Sequence, residues 1–217
     1  RGVAEFYKAV DPWGSLTNFS PHPITVDGTV YQSVEHYYQA QKFATTTTRP
    51  TRSSAPSRGE EGTTPTPFFE PTVLDIGVEL APATSDGHEH DEHIAGPPSD
   101  LDAVRAAVRV AIEAAQSPEE AARLGRRTAL VRPELVRSDW QDEQVKIEVM
   151  RVALRAKYTQ HASPQAMLLA TATGGPDGGP LTIAEGSPHD AFWGRGRDGT
   201  GRNQLGRLLE EIRDELR

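Results

Sequence analysis

The chain has 217 residues, with 23 Lys and Arg against 31 Asp and Glu, and it contains no cysteine. That length suits one domain with an insertion, and the missing cysteines exclude disulfides, thiolate metal ligands and a cysteine nucleophile. The net charge of −8 argues against a protein that grips nucleic acid by bulk electrostatics. We find no apolar run of membrane-spanning length and no secretory signal pattern. We therefore expect a cytoplasmic protein without membrane association.

The predicted secondary structure is mostly helical. A small hairpin over residues 24–31 turns at Asp27-Gly28, and a late strand covers residues 181–184. Hydrophobic periodicity and capping residues predict helices over residues 34–43, 101–115, 118–125, 140–158, a short stretch from 163, and 204–216. Ser33, Ser117 and Asn203 are the predicted caps of three of them. The pattern predicts a mainly α fold with a few short strands (α+β), and it excludes a doubly wound parallel sheet.

Residues 44–100 differ in composition from the rest of the chain. They hold 8 of the 17 prolines, with 10 acidic and only 3 basic residues, so nearly all of the net charge lies there. We predict a flexible, Pro- and Thr-rich acidic insertion in a single domain that covers residues 1–217. The acidic and histidine residues over 88–93 resemble metal ligands, but such a tract favours adventitious binding, so we expect no metal site.

One face of the first helix carries the strongest candidates for chemistry. Glu35, Gln39 and Lys42 stand at i, i+4 and i+7 and therefore share that face. A solvated charged face is the ordinary alternative. It is weakened because the chain uses only 4 Lys beside 19 Arg, which suggests that the amine of Lys42 is itself needed.

A glycine-rich segment before the last helix is the second candidate. Gly194, Gly196 and Gly199 spell a literal G-x-G-x-x-G, but neither the preceding strand nor the following acidic position fits a dinucleotide fold. Open backbone N–H groups and a helix start nevertheless suit a phosphate or diphosphate, with a flexible loop as the alternative. The predicted phosphate-binding residues are Gly194, Arg195, Gly196, Gly201, Arg202 and Asn203, with Arg197 adding charge.

Several other side chains are candidates for contact with a base. Asn18 and Phe19 lie in a loop that suits hydrogen bonding to a base edge, or that forms a simple turn. Trp193 lies beside Asp190 at the start of the glycine-rich segment. Trp140 is either a stacking surface or a core residue, and the core interpretation is favoured.

These residues resemble the NADAR (YbiA-like) family of N-glycosidases. The likeness covers residues 6–43 and roughly 106–217 in collinear order, and residues 44–100 depart from the family pattern. The matching motifs are Asp11-Pro12-Trp13-Gly14, Asn18-Phe19-Ser20-Pro21, 33–43, 121–126, Val149-Met150, Lys157-Tyr158-Thr159-Gln160, 190–194 and 201–206.

The resemblance implies a compact helical domain that cleaves an N-glycosidic bond to ribose without a cofactor. The family is associated with two substrate classes. One is ADP-ribose attached to guanine, including guanine in DNA or other nucleic acid, which implies a guanine ADP-ribosyltransferase toxin as partner. The other is the ribosylamino pyrimidine intermediates of riboflavin synthesis. We prefer the first class and keep the second as the alternative, with a non-catalytic ADP-ribose or nucleotide-binding module as a third hypothesis.

The family chemistry and the residues together suggest roles for each candidate. Glu35 is the acid/base group, and Lys42 is the nucleophile that attacks C1 of the ribose to give an imine. Asp190 orients the ribose hydroxyls or shares the proton transfer. Phe19, Trp140 and Trp193 sandwich the base or the adenine. In a simpler route Glu35 or Asp190 activates water, and Lys42 acts only through its charge.

Overall fold

The computed structural model describes residues 2–45 and 100–217. Within these ranges the chain forms six α-helices and four short strands, so the predicted mainly α class is confirmed. The elements are, in chain order, β1 (Val3–Phe6), β2 (Ile24–Val26), β3 (Thr29–Tyr31), α1 (Val34–Gln41), α2 (Asp100–Glu113), α3 (Pro118–Val131), α4 (Glu143–Gln160), α5 (Ala162–Ala170), β4 (Thr182–Glu185) and α6 (Gln204–Glu215).

The predicted hairpin is confirmed. β2 and β3 pair antiparallel, with Ile24 opposite Tyr31, and Asp27 and Gly28 connect them. Both residues have positive φ, 49° for Asp27 and 78° for Gly28. A two-residue turn with positive φ at both positions matches the twist of the flanking strands, and Asp-Gly suits it well. The hairpin leads directly into Ser33 and α1, so it determines where that helix begins.

A second pair of strands joins the N-terminal segment of the chain to the segment that precedes the last helix. β1 runs parallel to β4, with Val3 opposite Thr182 and Phe6 opposite Glu185. The sequence analysis predicted β4 but missed β1, because four residues with only alternate burial carry little signal. This pairing places Glu185 at the C-terminal end of β4, directly before the glycine-rich segment.

Asn203 occupies the predicted N-cap position of the last helix, but its side chain does not cap the helix. It adopts the left-handed conformation with φ 50°, and its side chain makes no capping hydrogen bond. Its Nδ2 instead donates to Ile183 O at 2.8 Å, and its Oδ1 accepts from Glu185 N at 3.0 Å. The prediction was wrong because the amide bonds across to β4 and is therefore unavailable to α6.

Two predicted helix boundaries are also wrong. α3 continues through Gly125 to Val131, because Gly125 is a helical residue that packs against α1 rather than a terminator. Trp140 does not begin the long helix. It lies in a 3₁₀ turn over Ser138–Gln141, and α4 starts at Glu143, where Asp142 accepts a capping hydrogen bond from Gln144 N at 2.8 Å. The predicted caps Ser33 and Ser117 are confirmed.

α1 lies at the centre of the described fold. Every residue from Val34 to Ala40 is buried, and the helix contacts α2, α3 and α4. An enclosed helix is normally apolar on all sides, so its polar residues require a specific explanation. Residues 46–99, which include nearly all of the predicted insertion and the 88–93 cluster, lie outside the described residues. In the part that the structure describes, no helix is long and apolar enough to cross a membrane.

Candidate active site

The predicted face of α1 is buried rather than solvated. Glu35 and Gln39 are each 3% exposed and Lys42 is 9% exposed. A surface Glu and Lys would keep their charges in water at little cost, but here both lose most of their hydration. The alternative of an ordinary solvated helix face is therefore wrong. The structure instead brings a carboxyl, an amide and an amine together inside the fold.

Two side-chain amides hold the carboxyl group of Glu35 in place. Asn18 Nδ2 donates to Glu35 Oε2 at 2.5 Å, and Gln39 Nε2 donates to Glu35 Oε1 at 2.6 Å. The backbone N–H of Glu35 also donates to Asn18 O at 3.1 Å. Burial raises the pKa of Glu35, and the bonds from Gln39 and Asn18, with the charge of Lys42, oppose that rise only in part. Glu35 is thus an oriented carboxyl that retains its proton more readily than usual.

The amine of Lys42 is shifted in the opposite direction. Burial lowers its pKa, the carboxyl of Glu35 opposes the shift, and the positive charges of Arg126 and Lys146 reinforce it. Its Nζ lies 5.7 Å from the centre of the Tyr38 ring. A raised carboxyl pKa beside a lowered amine pKa lets one proton be shared between the two groups. In one of the two arrangements Glu35 is a neutral acid and Lys42 a neutral amine.

Aromatic rings form one wall beside this pair. The Tyr38 ring centre lies 5.2 Å from that of Trp140 and 5.6 Å from that of Trp193. Trp140 is 6% exposed and belongs to the core, so the interpretation as a core residue is confirmed. Trp193 and Phe19 are only partly buried and keep surface that a ligand could contact. Tyr38, which the sequence analysis did not select, links both tryptophans to the helix that carries Glu35 and ends beside Lys42.

Asp190 shapes the loop that carries Trp193. Its Oδ1 accepts hydrogen bonds from Phe192 N at 2.9 Å and from Trp193 N at 2.7 Å. Burial raises the pKa of Tyr38 and of Glu185, and the negative charge of Asp190 adds to both shifts. Asp190 therefore lies close to the aromatic wall, and its Oδ1 is already bonded to two backbone N–H groups.

Glu185 is a second buried carboxyl that the sequence analysis missed. It is 8% exposed, and its Oε1 accepts from Ser187 N at 3.0 Å. Its Oε2 has no hydrogen-bond partner among the described residues. Burial raises its pKa to about 7. A Cβ atom at Gly194 would overlap this oxygen, so the close contact with Glu185 requires a glycine at this position.

The rest of the glycine-rich segment folds back on itself. Gly201 N donates to Arg195 O at 2.7 Å, and Asn203 N donates to Gly194 O at 3.0 Å. Gly196 and Gly199 have φ values of 66° and 75°. The N–H groups of Gly201 and Asn203 are therefore already bonded within the protein, and phosphate binding by this segment stays a prediction.

The arginines of this segment have partners as well. Arg202 donates to both carboxylate oxygens of Glu143, at 2.7 and 2.8 Å, and its guanidinium lies 4.8 Å from the Phe192 ring centre. Arg195 lies 3.5 Å from the carboxylate of Glu5. All four charged side chains are more than 40% exposed, so these pairs are weak and a phosphate could displace them.

Arg126 and Lys146 are two cations that the sequence analysis did not select. They lie on α3 and α4, and both lower the pKa of Lys42. Neither forms an ion pair with any residue in the described ranges. Arg126 is the last residue of the motif 121–126, so the family resemblance could have indicated it as a site residue. The sequence around Lys146 contains no motif that would have indicated that residue.

A separate cavity of about 380 Å³ lies beside His36, next to the start of α3. Its lining includes Pro21, Gln32, Ala115 and Ser117, but none of the predicted site residues. His36 is occupied there, with Nδ1 2.8 Å from Ser33 Oγ and Nε2 3.1 Å from Ala115 O. This cavity is therefore not the candidate active site.

Comparison with known proteins identifies the family of this chain. The family model described as "NADAR domain" matches residues 101–217. The chain is 33% identical over 214 residues to "N-glycosidase YbiA" of Shigella boydii, covering 99% of this chain and 88% of that protein. The chain belongs to the NADAR family.

The fold of this NADAR chain agrees with a solved structure. The NMR structure of the Escherichia coli protein YbiA matches with a TM-score of 0.60 and 31% identity, covering 99% of this chain and 84% of that one. The chain is also 35% identical over 219 residues to "Riboflavin biosynthesis protein PYRR, chloroplastic" of Zea mays. It spans only 25% of that longer protein. N-glycosidase chemistry is therefore supported, whereas the names of these relatives do not agree on one pathway.

Proposed function

We propose that this NADAR chain hydrolyses the bond between guanine and the ribose of ADP-ribose. The observation that carries the proposal is the buried pair of Glu35 on α1 and Lys42 directly after it, with a carboxyl pKa raised and an amine pKa lowered. Breaking an N-glycoside requires a proton on the leaving nitrogen and a nucleophile at C1. A protonated Glu35 and a neutral Lys42 supply one each.

The proposed reaction balances with one water molecule consumed. The lone pair of Lys42 Nζ forms a bond to C1 of the ribose while the bond from C1 to the guanine nitrogen breaks. The leaving nitrogen keeps that electron pair and takes a proton from Glu35. The C1–O4′ bond of the lysine adduct then breaks as Nζ passes one of its protons to the ring oxygen, which leaves the open chain joined to Lys42 as an imine. Water adds at C1, with one of its protons going to Glu35 and the other to Nζ as the bond from C1 to Lys42 breaks. The amine and the acid are thereby restored, and the released ADP-ribose closes its ring again.

The surroundings of the pair favour an anionic nucleotide as substrate. Trp193 and Phe19 offer partly buried rings for the guanine or the adenine. Arg126 and Lys146 place positive charge near Lys42, where a diphosphate would be attracted. Nearly all of the net negative charge belongs to residues 44–100, whereas Arg126 and Lys146 lie outside that segment. The acidic net charge of the chain therefore does not argue against modified nucleic acid as substrate.

The alternative substrate is a ribosylamino pyrimidine of riboflavin synthesis. It is supported by the name of the maize relative, and the same bond type would be cleaved. A non-catalytic ADP-ribose-binding module is the remaining hypothesis. It is disfavoured because a pure binder needs neither a protonated carboxyl nor a neutral amine, and burying both is costly. No cofactor is required by the proposed reaction. We further propose that the protein acts in the cytoplasm on DNA bases modified by a guanine ADP-ribosylating toxin.

The direct test compares the two substrates. The protein is incubated with a DNA oligonucleotide carrying ADP-ribose on guanine and, separately, with the ribosylamino pyrimidine, and release of the free sugar is followed by mass spectrometry. We expect release from the oligonucleotide, and loss of release in Lys42→Met but not in the control Lys8→Met, since Lys8 is exposed. Release from the pyrimidine alone would support the alternative, and binding without release from either would support the module.

A further inference from the structure

Lys157 is a fully buried amine that the proposed reaction does not use. It lies near the C-terminal end of α4 with 0% of its surface exposed. Its Nζ donates to Ser15 O at 2.5 Å and to Thr17 O at 2.9 Å. Within residues 2–45 and 100–217 no carboxylate forms an ion pair with it, and burial lowers its pKa to about 7. Burying an amine that has no ion-pair partner costs stability, so the presence of a lysine at this position requires an explanation.

Those bonds hold the loop that precedes Asn18. Between the two carbonyls bound by Lys157, the carbonyl of Leu16 accepts a long hydrogen bond of 3.4 Å from Tyr158 OH. Three successive carbonyl groups are thus fixed by two neighbouring residues of α4. Ser20 adds local bonds, from its N at 3.2 Å and its Oγ at 3.0 Å to Thr17 O, and from its Oγ at 3.4 Å to Ser15 O. Lys157 and Tyr158 supply donors from a distant part of the sequence and so tie this turn to α4.

The same loop ends at the residue that orients Glu35. Asn18 directly follows Thr17, whose carbonyl Lys157 binds. Asn18 then bonds Glu35 twice, through its own carbonyl at 3.1 Å and through Nδ2 at 2.5 Å. A shift of the Thr17 carbonyl would therefore move Asn18 relative to the carboxyl group that it holds.

We propose that Lys157 is a positioning residue, which fixes the loop over residues 15–17 so that Asn18 meets the carboxyl group of Glu35. The inference rests on the proposed function for its catalytic meaning, because Glu35 is the proton donor there. Lys157 acts through Asn18 and makes no contact with the substrate. Its amine serves as a hydrogen-bond donor, which both its charged and its neutral forms can do.

A test of this inference must leave unchanged the other charged groups that act on Glu35. Lys42 at the C-terminal end of α1 and Arg126 on α3 act on Glu35 together with the neutral amides of Gln39 and Asn18. On the other side, burial lowers the pKa of His22, and the charge of Lys157 lowers it further. A variant at position 157 therefore changes a charge near His22 but leaves the charges that act on Glu35 in place.

The test measures the pKa of Glu35 directly, by carbon NMR of the side-chain carboxyl in the full chain. Loss of the Asn18 bond removes an interaction that favours the carboxylate, so Lys157→Met and Asn18→Ala should each raise the pKa of Glu35. The double variant should show no additional shift, since both changes break the same connection.

On the substrate that the wild type cleaves, Lys157→Met should lower kcat by about 10- to 100-fold with little change in KM. The exposed Lys8→Met is the control for loss of a lysine.

The outcomes separate this inference from the proposed function. If the wild type cleaves neither substrate, the proposed function fails, but the shift of the Glu35 pKa in Lys157→Met can still be measured. An unchanged pKa in Lys157→Met, or shifts that add in the double variant, would overturn the inference. Lys157→Gln retains a donor and is the second variant, with a smaller shift expected. If neither 157 variant folds while Asn18→Ala does, Lys157 is merely structural and the inference is wrong.

Discussion

The backbone of Gly125 on α3 lies directly against the side chain of Gln39 on α1, and a Cβ atom at position 125 would overlap Gln39 Oε1. Gln39 in turn donates to Glu35 over 2.6 Å. The absence of a side chain at Gly125 is therefore what allows the amide to reach the carboxyl group. It also explains why a glycine lies inside a helix, where it normally costs stability.

Gly125→Ala should consequently impair the reaction even though alanine favours a helix by about 1 kcal/mol. The methyl group would displace Gln39 and remove its hydrogen bond to Glu35. We expect kcat to fall by about 10-fold, as for the loss of one hydrogen bond to a charged or acidic group. The measurement is steady-state kinetics beside thermal unfolding. Gly179→Ala, at a position where a Cβ atom meets nothing within 4 Å, is the control and should behave as the wild type.

Arg126→Ala should move the pH dependence of activity. Its positive charge lowers the pKa of Glu35 and of Lys42, so its removal raises both. Activity requires a neutral Lys42 and a protonated Glu35, and both limits of the pH–rate profile should therefore move to higher pH. Arg127→Ala removes another exposed arginine from the next position of α3 and should leave the profile unchanged. A profile that stays in place in Arg126→Ala would contradict the electrostatic role of Arg126.

Glu185→Gln should stabilise the fold at alkaline pH. The pKa of Glu185 is raised to about 7 in the fold, so the wild type loses stability as pH rises from the ordinary carboxyl value through about 7. The neutral amide avoids that loss. We expect a gain of about 2 kcal/mol in the free energy of unfolding at pH 8, and none at pH 4.

Denaturant unfolding at the two pH values measures this gain. Asp177→Asn, in an exposed turn, is the control and should show no such pH-dependent difference. If Glu185→Gln changes stability equally at both pH values, the burial of a charge at Glu185 is not its cause.

The two tryptophans beside Tyr38 should respond differently to truncation. Trp140 is 6% exposed in the core, so Trp140→Ala should lower the free energy of unfolding by about 3–5 kcal/mol. Trp193 is only partly buried, and Trp193→Ala should chiefly weaken substrate binding, by about 1–3 kcal/mol if it stacks on a base. Calorimetric unfolding and KM measure the two effects. Equal losses of stability in both variants would remove Trp193 from the proposed binding surface.

Sequence patterns predicted the helical class and the face of α1 because both depend on local spacing. Glu35, Gln39 and Lys42 share a face wherever the helix lies, and Ser33 caps it locally. What local spacing could not reveal is that this face is buried. That outcome depends on α3 and α4 closing over it, through contacts such as Gly125 with Gln39.

The misassigned residues share a long-range cause. Asn203 looked like a cap because its side chain suits that role, but its partners Ile183 and Glu185 lie on β4, about 20 positions earlier. Gly125 looked like a helix end because glycine is common there, but its neighbour Gln39 lies on α1, far away in the sequence. Glu185 gave no signal of its own, because its importance arises from burial under Gly194 and from charge near Asp190.

The central claim is that Lys42 attacks the ribose while Glu35 protonates the leaving base. The most direct measurement is borohydride reduction during turnover of the ADP-ribosylated oligonucleotide, followed by peptide mass spectrometry. We predict a reduced ADP-ribose adduct on Lys42, absent from Lys42→Met and formed much more slowly in Glu35→Gln. Turnover without any adduct on Lys42, together with an active Lys42→Met variant, would contradict the account.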